Sequence, residues 1–386
     1  MRILHTMASH RWTGAAEPAA RQALAEQQCG AEVLFALSGR ASLQKKASEL
    51  GLNTSSDVRF HRKYFPWRKI EDVLRLRALI RDFRPDVLHC HLTHDHCLAA
   101  AALAGQKDPK PVVVRTFHRG TVHTGLAHRA LLMPRTQGAV AISREIASQL
   151  CNTFGMREED IYLHRGGVDL TVFRPTNRGA RLREKWGISA DAPVIGLISR
   201  IRIARGHEWL LEAAADALPL VPQARLVICG RGNWQKQMVK LLKTHPARDQ
   251  IVYAGYIYSP DLEDAYNAFD VSLLLRPGND GTCRSALETM ACGRPVIAGD
   301  MGALKDLLED GRAGWMVPND DRPALANAMV EALTRPDLRE ERGRHALWYA
   351  REFCNVEKLG PRMLAYYKSL LRRRELPEGL QLPQFG

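Results

Sequence analysis

The chain has 386 residues, 45% hydrophobic and 25% charged, with a formal net charge of +13. That length predicts two domains of roughly 150–200 residues, and the composition excludes low-complexity, collagen-like and solenoid organisation. No apolar run reaches the roughly 18–20 residues of a membrane span. Met1 to Met7 reads as a first β-strand rather than a signal peptide, because His10 and Arg11 interrupt it at once. Cys29, Cys90, Cys97, Cys151, Cys229, Cys283, Cys292 and Cys354 are scattered without a CxxC pair, which predicts free thiols in a reducing, cytoplasmic compartment. The positive charge points to nucleic acid, an anionic membrane surface, phosphorylated substrates, or only a solvated basic surface.

In chain order, strands are predicted at 2–7, 31–37, 86–90, 112–117, 139–143 and 161–164. Helical stretches alternate with them: an Ala-rich helix from Pro18 to Gln28, and one from Arg144 to Phe154 capped by Ser143 and ended by Gly155. The same rhythm restarts with strands at 194–199, 225–229, 251–254, 271–275, 295–298 and 314–317. Pro260 is expected at the first position of a helix reaching Phe269. Charge rises and periodicity lapses between Pro175 and Asp191. Residues 1–177 and 178–354 are therefore read as two doubly wound, Rossmann-like α/β domains, with a ligand at the carboxyl ends of their strands. A last helix and tail, 355–386, is expected to fold back on the first domain.

The densest information runs from Arg276 through Gly281 to Glu288 and on to Met290-Ala291-Cys292-Gly293-Arg294-Pro295-Val296. A strand enters a Gly-bearing loop, and a helix starts near Arg284. Its first-turn N–H groups, on Thr282, Cys283, Arg284 and Ser285, form an anion site suited to a diphosphate. Glu288 lies one turn on from Arg284, on the face that reaches ribose hydroxyls. Asp280 precedes the helix, towards a donor sugar, and Gly293 ends it as a left-handed cap. Arg200 and Arg205, five apart after the strand at 194–199, offer two cations to a leaving diphosphate, with Arg202 a third local charge.

These motifs resemble glycosyltransferase family 4, the retaining enzymes of GT-B fold. The family's loop reads Glu-Gly-Phe-Gly, with seven residues between two glutamates and Met-Ala-Cys-Gly-x-Pro-Val following. Here Asp280 stands for the first Glu and Thr282-Cys283 for Phe-Gly. Ser199 to Gly206 resembles Gly-Arg-Leu-x-x-x-Lys-Gly, with Arg205 in place of Lys. The segment Cys229-Gly230-Arg231-Gly232 resembles the strand end where the nucleotide base packs. His164 to Asp169 resembles a crossover motif in which Gly167 supplies a turn. The resemblance implies two facing Rossmann-like domains with a central cleft and a metal-independent, retaining transfer of a sugar from a nucleotide-sugar donor. It implies front-face attack, the leaving phosphate helping to deprotonate the acceptor. It gives Glu288 the ribose, Asp280 the transferred sugar, and Gly14, after the first strand, the donor phosphate.

Thr116-Phe117-His118 resembles the family's Thr-x-His segment, which implies His118 beside the reacting face of the sugar. His91 and Asp95 are assigned to the acceptor pocket. The run His89-Cys90-His91 to His94, His96 and Cys97 invites zinc, but its spacing fits no standard site, and no residue is assigned to a metal or cofactor. Residues 59–69 interleave cations with Phe60, Tyr64, Phe65 and Trp67, then run into Val73 to Arg81. This composition suits an anionic bilayer surface or, equally, a basic helix packed on its own domain. Tyr366-Tyr367 with Arg372 to Arg374 forms a second basic-aromatic end. No recognition-helix, RNP or zinc-finger pattern supports nucleic acid.

The resulting expectation is a cytoplasmic transferase, peripheral on the inner membrane, acting on a glycan or glycolipid in cell-surface polysaccharide or lipopolysaccharide synthesis. Two alternatives stay open. A sugar-nucleotide 2-epimerase of the same fold would turn over without an acceptor, and a non-catalytic nucleotide-sugar binder would be indifferent to Asp280→Ala.

Overall fold

The computed structural model describes the chain except residues 11, 13, 14, 39, 40, 62–65, 107, 108, 119–121, 127, 278–282 and 376–386. Contacts divide it into two compact units. One comprises Met1–His164 with the chain from Glu357 onward, the other Arg165–Val356. The sequence places its boundaries at 177/178 and 354/355; the crossover segment from Arg165 instead packs with the second unit. Val168 there bridges to Asn355, and the Arg165 guanidinium lies 4.4 Å over the Phe353 ring.

The first unit has strands β1 (Arg2–Met7), β2 (Glu32–Leu37), β3 (Thr54–Ser55), β4 (Val87–Cys90), β5 (Val112–Phe117), β6 (Gly138–Ala141) and β7 (Ile161–Leu163). They pair in parallel in the order β3-β2-β1-β4-β5-β6-β7. Helices α1 (Ala16–Gln28), α2 (Ala41–Glu49), α3 (Pro66–Phe83), α4 (Thr93–Leu103) and α5 (Arg144–Phe154) connect them. Strand β3 escapes prediction because two residues carry no periodicity. The near-continuous apolar runs of β4 to β6 follow from burial on both faces. Ala16, Ala19, Ala20 and Ala23 give α1 a small-residue face that packs closely on the sheet.

The second unit has α6 (Gly179–Lys185), β8 (Val194–Ile198), α7 (His207–Ala217), β9 (Arg225–Cys229), α8 (Gln235–Lys243), β10 (Ile251–Gly255), α9 (Asp261–Ala268) and β11 (Val271–Leu274). It continues with α10 (Arg284–Ala291), β12 (Val296–Gly299), α11 (Ala303–Leu307), β13 (Gly314–Val317), α12 (Arg322–Thr334) and α13 (Pro336–Phe353). Its sheet, also parallel, runs β10-β9-β8-β11-β12-β13. Pro260 stands at the N-cap of α9, one residue outside the helix in which it was expected.

The last helix, α14 (Leu359–Glu375), belongs to the first unit. Leu359, Met363, Tyr366, Tyr367 and Leu370 recur at helical spacing and join the core with α1. Gly360 permits the approach: a β-carbon there would meet the Ala25 carbonyl oxygen at 2.3 Å. Tyr366 and Tyr367 are therefore core residues, not the exposed basic-aromatic end read from sequence.

Strand order reverses between β1 and β4 in one unit and between β8 and β11 in the other. At such a switch point the two adjacent loops leave the sheet in opposite directions and open a crevice at the strands' carboxyl ends. Arg200, Arg205 and the start of α10 lie at one switch point. His91, which follows β4, lies at the other.

Candidate active site

In the second unit, β8 delivers Ser199 and Arg200 to a short turn, Ile203–Arg205, ended by Gly206 (φ +80°), which starts α7. Arg200 is exposed and Arg205 half-buried. The Arg205 Nη1 donates to the Arg276 carbonyl oxygen at 3.3 Å, tying the loop after β8 to the loop after β11. The Arg276 guanidinium in turn pairs with Asp320. The loop after β9 presses on the same place. A β-carbon on Gly230 (φ +146°) would lie 1.9 Å from the Ser199 carbonyl oxygen, and one on Gly232 would lie 2.0 Å from that of Ile201. Tyr253 donates its hydroxyl to the Gly230 oxygen at 2.9 Å. Only glycine at both positions lets the β9 loop close on the turn that carries Arg200.

Helix α10 starts from Cys283, which is buried and left-handed (φ +45°). The family has glycine there, so this chain holds a side chain in a conformation costing about 1 kcal/mol. Arg284 is exposed and Ser285 half-buried in the first turn. Glu288 is buried on the same helix, and the Tyr266 hydroxyl donates to its Oε2 at 2.5 Å. Burial and the neighbouring carboxylate push the Tyr266 phenol well above its usual range, so it remains a donor. Cys292 caps α10, and Gly293 follows in the left-handed region (φ +73°). The Asn267 amide donates to the Cys292 sulfur at 3.5 Å, and the Arg294 guanidinium reaches the Asn267 carbonyl at 3.3 Å. The Met-Ala-Cys-Gly-Arg-Pro block thus pins α10 to α9. Gly14, Asp280, Gly281 and Thr282 lie outside the described residues.

In the first unit, His5, His89, His91 and His118 gather at the switch point. His5 Nε2 lies 2.7 Å from Glu26 Oε2, and His5 Nδ1 lies 2.9 Å from His91 Nε2. His91 Nδ1 lies 3.4 Å from His118 Nε2. His89 bonds the Tyr367 hydroxyl through Nδ1 and Thr116 Oγ1 through Nε2, both at 2.6 Å. Burial and neighbouring positive groups push His89 and His91 well below the usual histidine range, and His118 down to about 3. All three are neutral at pH 7. Among the described residues, His5, His89 and His91 place ring nitrogens within 4.8 Å of one another. Two ligands of a tetrahedral zinc stand about 3.3 Å apart, given bonds of about 2.0–2.1 Å. The 2.9 Å contact of His5 with His91 is that of a hydrogen bond.

Several assignments change with this geometry. Asp95 is buried, and its carboxylate accepts from the His91 N–H at 2.9 Å, the Leu92 N–H at 2.8 Å and Thr6 Oγ1 at 3.3 Å. It caps the start of α4 instead of facing a pocket. His91 is buried with both ring nitrogens engaged, one by His5 and the other by half-buried His118. At the crossover, Gly166 (φ +85°) makes the turn. Gly167 instead clears space for Val356, 3.0 Å from where its β-carbon would stand. Phe60 is buried in the core of its unit, whereas Trp67, Ile70 and Leu74 on α3 are 65%, 59% and 57% exposed. Residues 62–65 lie outside the described residues.

Tyr266, His5 and Glu26 were not singled out from the sequence. The legible signal was Gln22 and Glu26, two polar residues four apart on the Ala-rich face of α1.

Residues 180–347 match the family described as glycosyl transferases group 1, and residues 20–172 match glycosyltransferase family 4. The chain belongs to these glycosyltransferases. It is similar to the alpha-D-kanosaminyltransferase of Streptomyces kanamyceticus, 27% identical over 193 residues, 50% of each chain. The chain spans about half the length of the first of the curated relatives it matches. Anabaena HepE, solved with UDP, shares the fold: TM-score 0.78 at 17% identity, covering 96% of this chain and 100% of that one. So does the lipopolysaccharide outer core galactosyltransferase WaaB, at TM-score 0.74 and 14% identity, covering 97% and 100%. The two parallel α/β units are those of the GT-B fold.

Proposed function

We propose that this glycosyltransferase binds a nucleotide-sugar donor on its second unit. It moves the sugar, with retention and without a resident metal, to a hydroxyl of a glycan or glycolipid. The observation that carries the reading is the convergence at one switch point of Arg200, Arg205, the α10 N-terminus and Glu288 held by Tyr266. The cations and the helix N–H groups offset the charge that grows on a leaving diphosphate, the work a metal does elsewhere. Glu288 takes the ribose hydroxyls, and the loop Cys229–Gly232 presents backbone to the base. HepE, solved with UDP, supports a uridine donor. We assign His118 and, by the resemblance of the sequence alone, Asp280 to the transferred sugar.

The acceptor belongs to cell-surface polysaccharide or lipopolysaccharide, as in WaaB, and the enzyme works at the cytoplasmic face of the inner membrane. Supporting this, Trp67, Ile70 and Leu74 line one exposed stripe of α3 beside exposed Arg68 and Arg81. No described helix is long and apolar enough to cross a membrane. A panel of UDP-, GDP- and ADP-sugars, read by thermal shift, tests the donor class. Saturation near a hundred times Kd stabilises the native state by about 2.7 kcal/mol. A shift for one nucleotide class that Glu288→Ala abolishes supports the proposal, and flat curves for every donor refute it.

A further inference from the structure

Glu26 is wholly buried on α1, and three groups converge on its carboxylate. His5 Nε2 meets Oε2 at 2.7 Å, while the Gln22 amide nitrogen and the Tyr367 hydroxyl meet Oε1 at 2.8 and 3.0 Å. A carboxylate only accepts. With one proton on the ring, His5 carries it on Nε2 and leaves Nδ1 bare. The next contact, 2.9 Å to His91 Nε2, then requires the His91 proton on that nitrogen and leaves His91 Nδ1 bare. The last contact, 3.4 Å, requires the proton of His118 on Nε2. One neutral imidazole holds one proton, so a single anion at the far end orders three tautomers in sequence. The parallel set, Tyr367 to His89 to Thr116, anchors the neighbouring ring from the same glutamate.

We propose that Glu26, His5 and His91 form a positioning relay that fixes the proton of His118 on Nε2, so that Nδ1 is presented as an acceptor to a sugar hydroxyl. The proposal rests on the reading of His118 as the residue that meets substrate. None of the three relay residues touches substrate; each acts through the next. Burial keeps His91 and His118 from taking a second proton at neutral pH, which preserves the order. Without the carboxylate this order is no longer imposed on His118, and part of the enzyme then presents an N–H where an acceptor is needed. The arrangement extends to three rings the orienting role that a buried carboxylate has for a single histidine.

The test is long-range ¹⁵N–¹H correlation on the full-length chain labelled in histidine, at pH 7.5, for wild type, Glu26→Gln and His91→Phe. Wild type is expected to show His5, His91 and His118 each as a single neutral tautomer protonated on Nε2. In Glu26→Gln and in His91→Phe the His118 signals should become those of a mixture. Turnover should fall about tenfold or more in Glu26→Gln while donor KM changes less than about twofold. His118 protonated on Nδ1 in wild type, or unaltered in both variants, overturns the relay. Should wild type turn over no nucleotide sugar, the transferase reading fails, and the spectra still decide whether the relay exists. His91→Phe, which cuts the chain beside His118, decides it where Glu26→Gln does not fold.

Discussion

The Tyr266 hydroxyl fixes the Glu288 carboxylate from below, Oη to Oε2 at 2.5 Å, joining α9 to the helix that carries the donor motif. Both side chains are buried. Tyr266→Phe leaves the packing and removes one donor to the Glu288 carboxylate. Donor KM should rise about three- to tenfold with kcat little changed, and stability should fall by about 1.5–3 kcal/mol. Steady-state kinetics and urea unfolding read the two effects. An unchanged KM removes Tyr266 from the donor site.

Both Gly230 (φ +146°) and Gly255 (φ +72°) are torsionally constrained, and only Gly230 is sterically constrained as well. At Gly230 a β-carbon collides with the Ser199 oxygen at 1.9 Å, while at Gly255 (φ +72°) nothing lies within 4 Å. Gly255→Ala should cost about 1 kcal/mol, the price of a left-handed alanine. Gly230→Ala should cost about 3–5 kcal/mol and displace the turn bearing Arg200. Urea midpoints of the two variants, with equal slopes, check this.

The buried histidines make stability depend on pH in one direction. His89, His91 and His96 are pushed below the unfolded value of about 6.5, His96 to about 3, chiefly by burial. Their stabilisation is present above pH 6.5 and is lost as pH falls towards the folded values. Each accounts for up to about 1.4 kcal/mol per pH unit. Asp95, raised by burial to about 6, opposes them between pH 4 and 6, since its protonated form is favoured in the fold. Three groups outweigh one. Unfolding free energy should therefore drop by several kcal/mol between pH 7 and 5, and equal values at the two pH values would contradict the buried neutral cluster.

On α3, Ile70 and Leu74 are exposed one turn apart. Ile70→Asp with Leu74→Asp should lower partition onto phosphatidylglycerol vesicles about a hundredfold or more, at about 1.5–3 kcal/mol per buried aliphatic side chain. Sedimentation with vesicles measures it. Equal partition of the variant and wild type would leave the stripe without a membrane role.

Strand alternation exposed both sheets in the sequence, because parallel strands buried on two faces read as apolar runs. The motif around α10 was legible because Arg284, Glu288 and Gly293 lie close in sequence, where spacing reports geometry. Tyr266 was not, since it reaches Glu288 from a different helix. His5, Glu26 and His118 come from β1, α1 and the segment after β5, and no local pattern announces that they meet. His91 and Asp95 were placed near the right switch point, but sequence could not show that one is enclosed by histidines and the other occupied by backbone N–H groups. Tyr366 and Tyr367 read as a surface end because the arginines that follow them are basic. Their partners on α1 and β6 lie more than two hundred residues away.

Nucleotide release reports sugar transfer from a nucleotide donor without the acceptor having to be identified. With EDTA present, the enzyme and its Glu288→Ala variant are incubated with the donor that gives a thermal shift, with and without a membrane glycolipid extract. Release should be fastest with extract, indifferent to EDTA and reduced about a hundredfold or more in the variant. Release that is independent of any acceptor and equal in the variant, or no release from any donor, would contradict the proposed transfer.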